Sequence, residues 1–165
     1  MRLPKIGCSV LAALCLAVGP CAAERTVREI SWGELKAAGL LKAGEVLEGQ
    51  ASGPAEQLKL VVAGSPQQLV GLVEIDKPGV TTPYYAVQGQ VQYDDVERSG
   101  HLEMWSRFAG GDARFSRTLA SNGPLQKIVG SSNWRPFVLP FFSDAKAGPP
   151  THLQINLVLE GPGTV

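Results

Sequence analysis

The chain of 165 residues carries 15 basic and 15 acidic side chains, a formal net charge of zero. That balance excludes the basic excess on which nucleic-acid and anionic-membrane binders depend. Its cysteines, Cys8, Cys15 and Cys21, all sit near the start of the chain, so a disulfide-stapled or thiol-dependent domain is excluded as well.

Residues 1–23 read as a secretory signal peptide. Arg2 and Lys5 supply a short positive region, an apolar run of 14 residues follows from Ile6 to Gly19, and Pro20 ends it. Cys21-Ala22-Ala23 then places small residues before a cleavage site after Ala23. The run is too short to cross about 30 Å of hydrocarbon comfortably. Pro20 is a poor neighbour for lipid attachment at Cys21. Taking 23 residues from 165 leaves 142, enough for one domain held by its core alone. Losing Arg2 and Lys5 leaves 13 basic against 15 acidic residues, a net charge of −2. No later segment is long and apolar enough to span a membrane. The expected address is exported: periplasm, cell envelope or extracellular space.

Residues 24–55 form an N-terminal helix and lead-in. Ser31-Trp32-Gly33-Glu34 fits a capping box, with Ser31 as N-cap and Glu34 reaching back. Leu35, Ala38 and Leu41 follow at helical spacing, so a short helix is predicted over about 32–38, ended by Gly39 or Gly44 and followed by an irregular stretch. Ala51 to Ala55 is a Gly/Pro/Ser break.

From residue 56 to 165 the period changes to two. Eight strands are predicted, at 57–63, 68–75, 84–93, 101–108, 114–119, 125–129, 134–140 and 152–159. Turn residues separate them, including Ser99-Gly100 and Gly130-Ser131-Ser132. Eight short strands at near-regular spacing predict an all-β sandwich or barrel. Pro136 and Pro140 mark the seventh as an edge strand or one bent at its ends.

Alternation separates two faces. Leu102, Met104, Ser106 and Phe108 oppose His101, Glu103, Trp105 and Arg107; Leu153, Ile155, Leu157 and Leu159 oppose His152, Gln154 and Asn156; Tyr85, Val87, Val91 and Tyr93 oppose Gln88, Gln90 and Gln92. The oily sides form the core. The other side carries the residue types that bind sugars: an indole to stack on C–H groups, and amides, carboxylate and arginine to bond hydroxyls. Its candidate ligand residues are Trp105, Glu103, Arg107, His101, Gln154 and Asn156, with Tyr84 as an exposed aromatic. The competing reading is an ordinary solvated sheet face, or one covered by the N-terminal segment. Trp134 reads as a plug at the end of the core, and Arg135 as a partner for an acid or for the ligand face. Phe115, Phe137 and Phe141 read as core.

Catalysis finds little support. There is no G-x-S-x-G, no H-E-x-x-H and no glycine-rich phosphate loop, and His101 and His152 lack a carboxylate–serine pattern. Asp94-Asp95-x-Glu97 clusters hard oxygen ligands of the kind calcium takes, but three acids in a turn are common without metal. The expectation is no enzyme and no cofactor.

The ordered series Tyr85-x-Val87-x-Gly89-x-Val91, Leu102-Glu103-Met104-Trp105, Phe115-Ser116-Arg117-Thr118-Leu119, Gly130-Ser-Ser-Asn-Trp134-Arg135-Pro136-Phe137 and Leu157-Val-Leu-Glu-Gly-Pro-Gly-Thr-Val165 resembles secreted galactose-binding-like β-sandwich domains. These are jelly rolls that include many carbohydrate-binding modules, and the string is similar to a group of uncharacterised exported bacterial proteins. The resemblance covers about residues 82–165. It implies a jelly-roll sandwich and a non-catalytic module for a saccharide or glycan. In such domains the Gly-Thr-Val stretch opens the last strand. Here the sequence stops at Val165, so the resemblance implies either that this strand is missing, which would leave an open apolar edge, or that it is supplied otherwise. The other function class left standing is a structural or protein-interaction domain of the envelope.

Overall fold

The computed structural model describes residues 25–49, 53–64, 67–143 and 147–165; the expected leader, and Cys21 with it, lies outside them. The helix is α1 (Trp32–Ala37), with the Ser31 side chain accepting from Glu34 N at 3.1 Å. The carboxylate that joins the cap is not that of Glu34. Glu56 supplies it from elsewhere in the chain, accepting from Ser31 Oγ at 2.9 Å and Gly33 N at 3.2 Å. Gly39, at φ 68, ends the helix in the left-handed region.

The stretch expected to be irregular contains a strand. β1 (Glu45–Glu48) pairs antiparallel with β2 (Glu56–Lys59), with Val46 opposite Leu58. Leu35 of α1 joins the common core, and Trp32 and Leu58 pack against it. The predicted strand 57–63 is divided by Leu60 between β2 and β3 (Val61–Val62).

The remaining strands are β4 (Gln68–Asp76), β5 (Tyr84–Phe108), β6 (Ala113–Arg117), β7 (Ile128–Phe142), β8 (Pro150–Leu159) and β9 (Gly163–Thr164). Two predicted turns are absorbed into strands. Ser99-Gly100 lies inside β5 and Gly130-Ser131-Ser132 inside β7. Gly100 serves close approach: a Cβ there would strike Leu159 Cδ2 and lie 2.8 Å from the Val158 carbonyl oxygen. Gly130, at φ 70, sits where β7 shifts register against β5. Leu119 and Leu125, placed in strands by the sequence pattern, fall in the β6–β7 connection.

β5 organises the fold. Its first half pairs with β7, Tyr84 opposite Phe142 through Val91 opposite Arg135. Its second half lies between β6 and β8. Three register shifts between Val91 and Gly100 mark where it bends, and Asp95 takes φ 49 there. The curled antiparallel sheet thereby brings its two halves face to face, as in a β-sandwich. Tyr85 Oη donates to Ser106 Oγ at 2.8 Å, and the rings of Phe108 and Phe141 lie 6.1 Å apart. Met104, Leu139, Leu157 and Leu159 are fully enclosed. The alternation predicted for residues 102–108 and 153–159 holds on its oily side.

β9 lies between β3 and β5: Thr164 is opposite both Val61 and Asp94, and Val165 exchanges backbone bonds of 2.7 and 2.9 Å with Leu60. Both edges of β9 are therefore paired. β7 does form an edge. Val138 N donates away from β5, to Pro124 O at 3.0 Å. Pro136 and Pro140 stand two residues to either side, so their nitrogens face the same outer edge and give it no N–H at those two positions.

Candidate binding face

The outer face of the β6–β5–β8–β4 layer is ordered in cross-strand rows. Phe115, Trp105, Gln154 and Glu74 form one row. Arg117, Glu103, Asn156 and Gly71 form the next. Ala113, Arg107, His152 and Asp76 flank the first row on its other side. His101 stands beside Val158 beyond Glu103. Six of the seven sequence candidates are thus gathered on one surface: Trp105, Glu103, Arg107, His101, Gln154 and Asn156.

Tyr84 is not among them. It lies in the other layer, on the outward parity of β5 opposite to inward Tyr85, and stacks on Phe142 with centroids 4.5 Å apart. Gln88 and Gln90 share that parity, so they too project from the far side of the sandwich.

The face is not a uniformly solvated one. Glu103 is 2% exposed and Asn156 1%. Glu103 Oε1 accepts from Trp105 Nε1 at 2.5 Å and Asn156 Nδ2 at 3.2 Å. Its Oε2 accepts from Arg117 Nε at 2.6 Å and pairs with Arg117 Nη2 at 2.6 Å. Four N–H groups therefore fill about four acceptor positions. Gln154 Nε2 extends the network to Asn156 Oδ1 at 3.2 Å. Burial pushes the Glu103 carboxyl up most strongly, but the bonds from Arg117, Asn156 and Trp105 and the Arg117 charge together hold it below the ordinary range. His101 is held down by burial first and by Arg117 next, with Glu103 and Glu160 opposing, and its Nε2 is buried without a partner.

Arg117 and Phe115 complete the site, and the sequence reading missed both roles. The Arg117 guanidinium lies over the Phe115 ring at 4.2 Å, and Phe115 meets Trp105 at 5.1 Å with a 56° tilt. Phe115, read as core, is 49% exposed. The signal was present: the Gly110-Gly111-Asp112 turn makes residues 101–117 a hairpin, whose register sets Phe115 opposite Trp105 and Arg117 opposite Glu103.

Chemically, the arrangement is a half-exposed aromatic step backed by a clamped carboxylate and edged by guanidinium and amide groups. No protein-family model, curated protein or solved structure matches this chain. The geometry therefore carries the functional argument unaided.

Trp134 and Arg135 lie elsewhere. Trp134 lines a cleft of about 190 Å³ with Leu47, Leu58, Tyr93 and Val165, where the β1–β2 pair meets the sandwich. A Cβ on Gly53 would come within 2.6 Å of its Nε1, so the indole seats the N-terminal segment. Among the described residues Arg135 pairs with neither an acid nor the ligand face: Nη2 donates to Gln126 O at 2.9 Å, and Cζ stacks 5.2 Å above Tyr93. At the acidic turn, Asp94 Oδ1 accepts from Ser131 Oγ at 2.8 Å, and Asp95 N donates to the same hydroxyl at 3.1 Å. No group of three metal-ligating side chains converges among the described residues, and no helix among them is long and apolar enough to cross a membrane.

Proposed function

We propose that the protein is a non-catalytic, exported binding module for a saccharide or glycan. The observation that carries this reading is the Trp105–Phe115 pair, two aromatic rings left partly open on an otherwise polar sheet face. A large aromatic held at a fixed tilt, its polar edge already hydrogen-bonded to Glu103, offers its ring face to C–H groups at low entropic cost. Gln154 and Arg107 stand where they can meet hydroxyls. On this reading Glu103 and Asn156 position the ring and do not touch the ligand. The sequence resemblance to galactose-binding-like sandwiches supports the reading, and the leader expected at residues 1–23 suits an exported product. Affinity electrophoresis through a panel of polysaccharides tests it. Retardation is expected for the wild type and a marked loss for Trp105→Ala, with Trp105→Phe intermediate. Equal mobility of all three on every polymer sinks the reading.

A second reading is a protein-interaction domain of the envelope. It is favoured by Tyr84 and Phe142, 69% and 58% exposed, stacked on the opposite outer face. Pull-down from envelope extracts that is insensitive to sugar and lost in Tyr84→Ser would support it; capture unchanged by Tyr84→Ser would not.

A further inference from the structure

We infer that the face selects an acidic saccharide, with a uronate ring on Trp105 and its carboxylate on Arg107. The inference rests on the saccharide reading and names its ligand class. It follows from which charges on the face are already answered. Glu103 is enclosed and its acceptor positions are filled, and Arg117 is neutralised by it. Glu74 is met by Lys42 at 3.6 Å, and Asp76 Oδ1 shares a hydrogen bond of 2.7 Å with His152 Nδ1. Arg107 is exposed and shares the face of Trp105, and none of the ion pairs among the described residues involves it.

The neighbours of Arg107 leave it open. Ala113 stands on one side and His152, turned to Asp76, on the other. Asp76 itself is two strands away, about 10 Å across the sheet. Along β5, Arg107 follows Trp105 by two residues, a rise of about 7 Å. A pyranose stacked on the indole spans that interval with its ring radius, exocyclic carboxylate and one charge-assisted hydrogen bond. Arginine suits the task because its planar fork meets a carboxylate with two donors. A neutral sugar would leave that charge unanswered. Glu103, the carboxylate bonded to the indole, is closed to hydroxyl donors.

Polygalacturonate and its fully methyl-esterified form test this, since they share a backbone and differ in charge. The purified protein is expected to bind the acid form about tenfold more tightly, the worth of one charge-assisted contact. The preference should shrink as salt shortens the screening length. In Arg107→Gln the ratio of acid to ester affinity should fall toward one, and Arg107→Lys should keep part of it. Unchanged thermal melts in both variants show that the fold is intact. Equal binding of acid and ester by the wild type overturns the inference and leaves the saccharide reading standing. So does an undiminished preference in Arg107→Gln. Failure to bind these polymers or any in the panel overturns both.

Discussion

Arg117 holds Glu103 through two nitrogens, Nε and Nη2, each 2.6 Å from the same carboxylate oxygen. The pair is asymmetric in burial, with side-chain exposures of 33% for Arg117 and 2% for Glu103. Glu103→Gln replaces one acceptor oxygen by a donor that faces either the guanidinium or the Trp105–Asn156 donors. A destabilisation of about 2–4 kcal/mol is expected in denaturant unfolding, since a buried polar network is left half satisfied. The double variant Glu103→Leu/Arg117→Leu should recover only the part that comes from the Arg117 charge, because Trp105 Nε1 and Asn156 Nδ2 still lose their acceptor. A Glu103→Gln loss below 0.5 kcal/mol, roughly the scale of a surface pair, would show that the network does not hold the sheet.

Acid should weaken the fold in two stages. His101 has its folded pKa lowered from 6.5, chiefly by burial, so the folded state disfavours the protonated ring. The unfolded chain then binds the proton more readily, and stability falls as pH drops below about 6.5. Glu103 is also lowered, from 4.5, because its hydrogen bonds and the Arg117 charge outweigh burial. Its contribution is present above 4.5 and is lost as pH falls through the folded value. Both terms have the same sign. Urea midpoints measured across pH should show His101→Asn flattening the upper part of the slope and Glu103→Gln the lower part. Parallel profiles for wild type and both variants would refute the assignment.

Gly100 separates what the sequence disclosed from what it concealed. Period-two alternation identified β4, β8 and both halves of β5, because burial on one face leaves that pattern in any register. The glycine between the halves read as a turn because close backbone approach and reversal use the same residue. The candidate face was legible for the same reason as the core, as the complement of the oily residues. Its interior was not: that Glu103 is buried depends on Arg117 from another strand, a pairing that alternation alone does not fix. Gly100→Ala should therefore cost about 1–3 kcal/mol through overpacking against Leu159 and Val158. A turn glycine would tolerate exposed substitution, so a melt within one degree of wild type would favour the turn.

Tyr85 and Ser106 join the two layers. The hydroxyls are 2.8 Å apart, and Ser106 is fully buried. Tyr85→Phe strands the serine hydroxyl and should lower stability by about 1 kcal/mol. Adding Ser106→Ala should return part of that loss, since the unsatisfied group is then gone. Additive losses in the double variant would mean that the hydroxyls do not meet.

Pro136 and Pro140 guard the outer edge of β7. Both oppose β5 residues whose pairing needs no proline N–H, Gln90 and Ala86. The intervening Val138 N–H is already taken by Pro124 O. The edge is thus blunted at three successive outward positions, which removes the donors that a second chain would use. Pro136→Thr/Pro140→Thr restores two outward N–H groups and raises strand propensity while leaving the pairing with β5 intact. The loss of chain stiffness should cost only about 0.4–1 kcal/mol per site. The larger effect should be association: sedimentation velocity over a concentration series is expected to show heavier species than the wild type at equal loading. Because each proline lies on the exposed face, a packing defect is not expected to confound the result. Matching sedimentation profiles at every concentration would mean that something other than the prolines protects this edge.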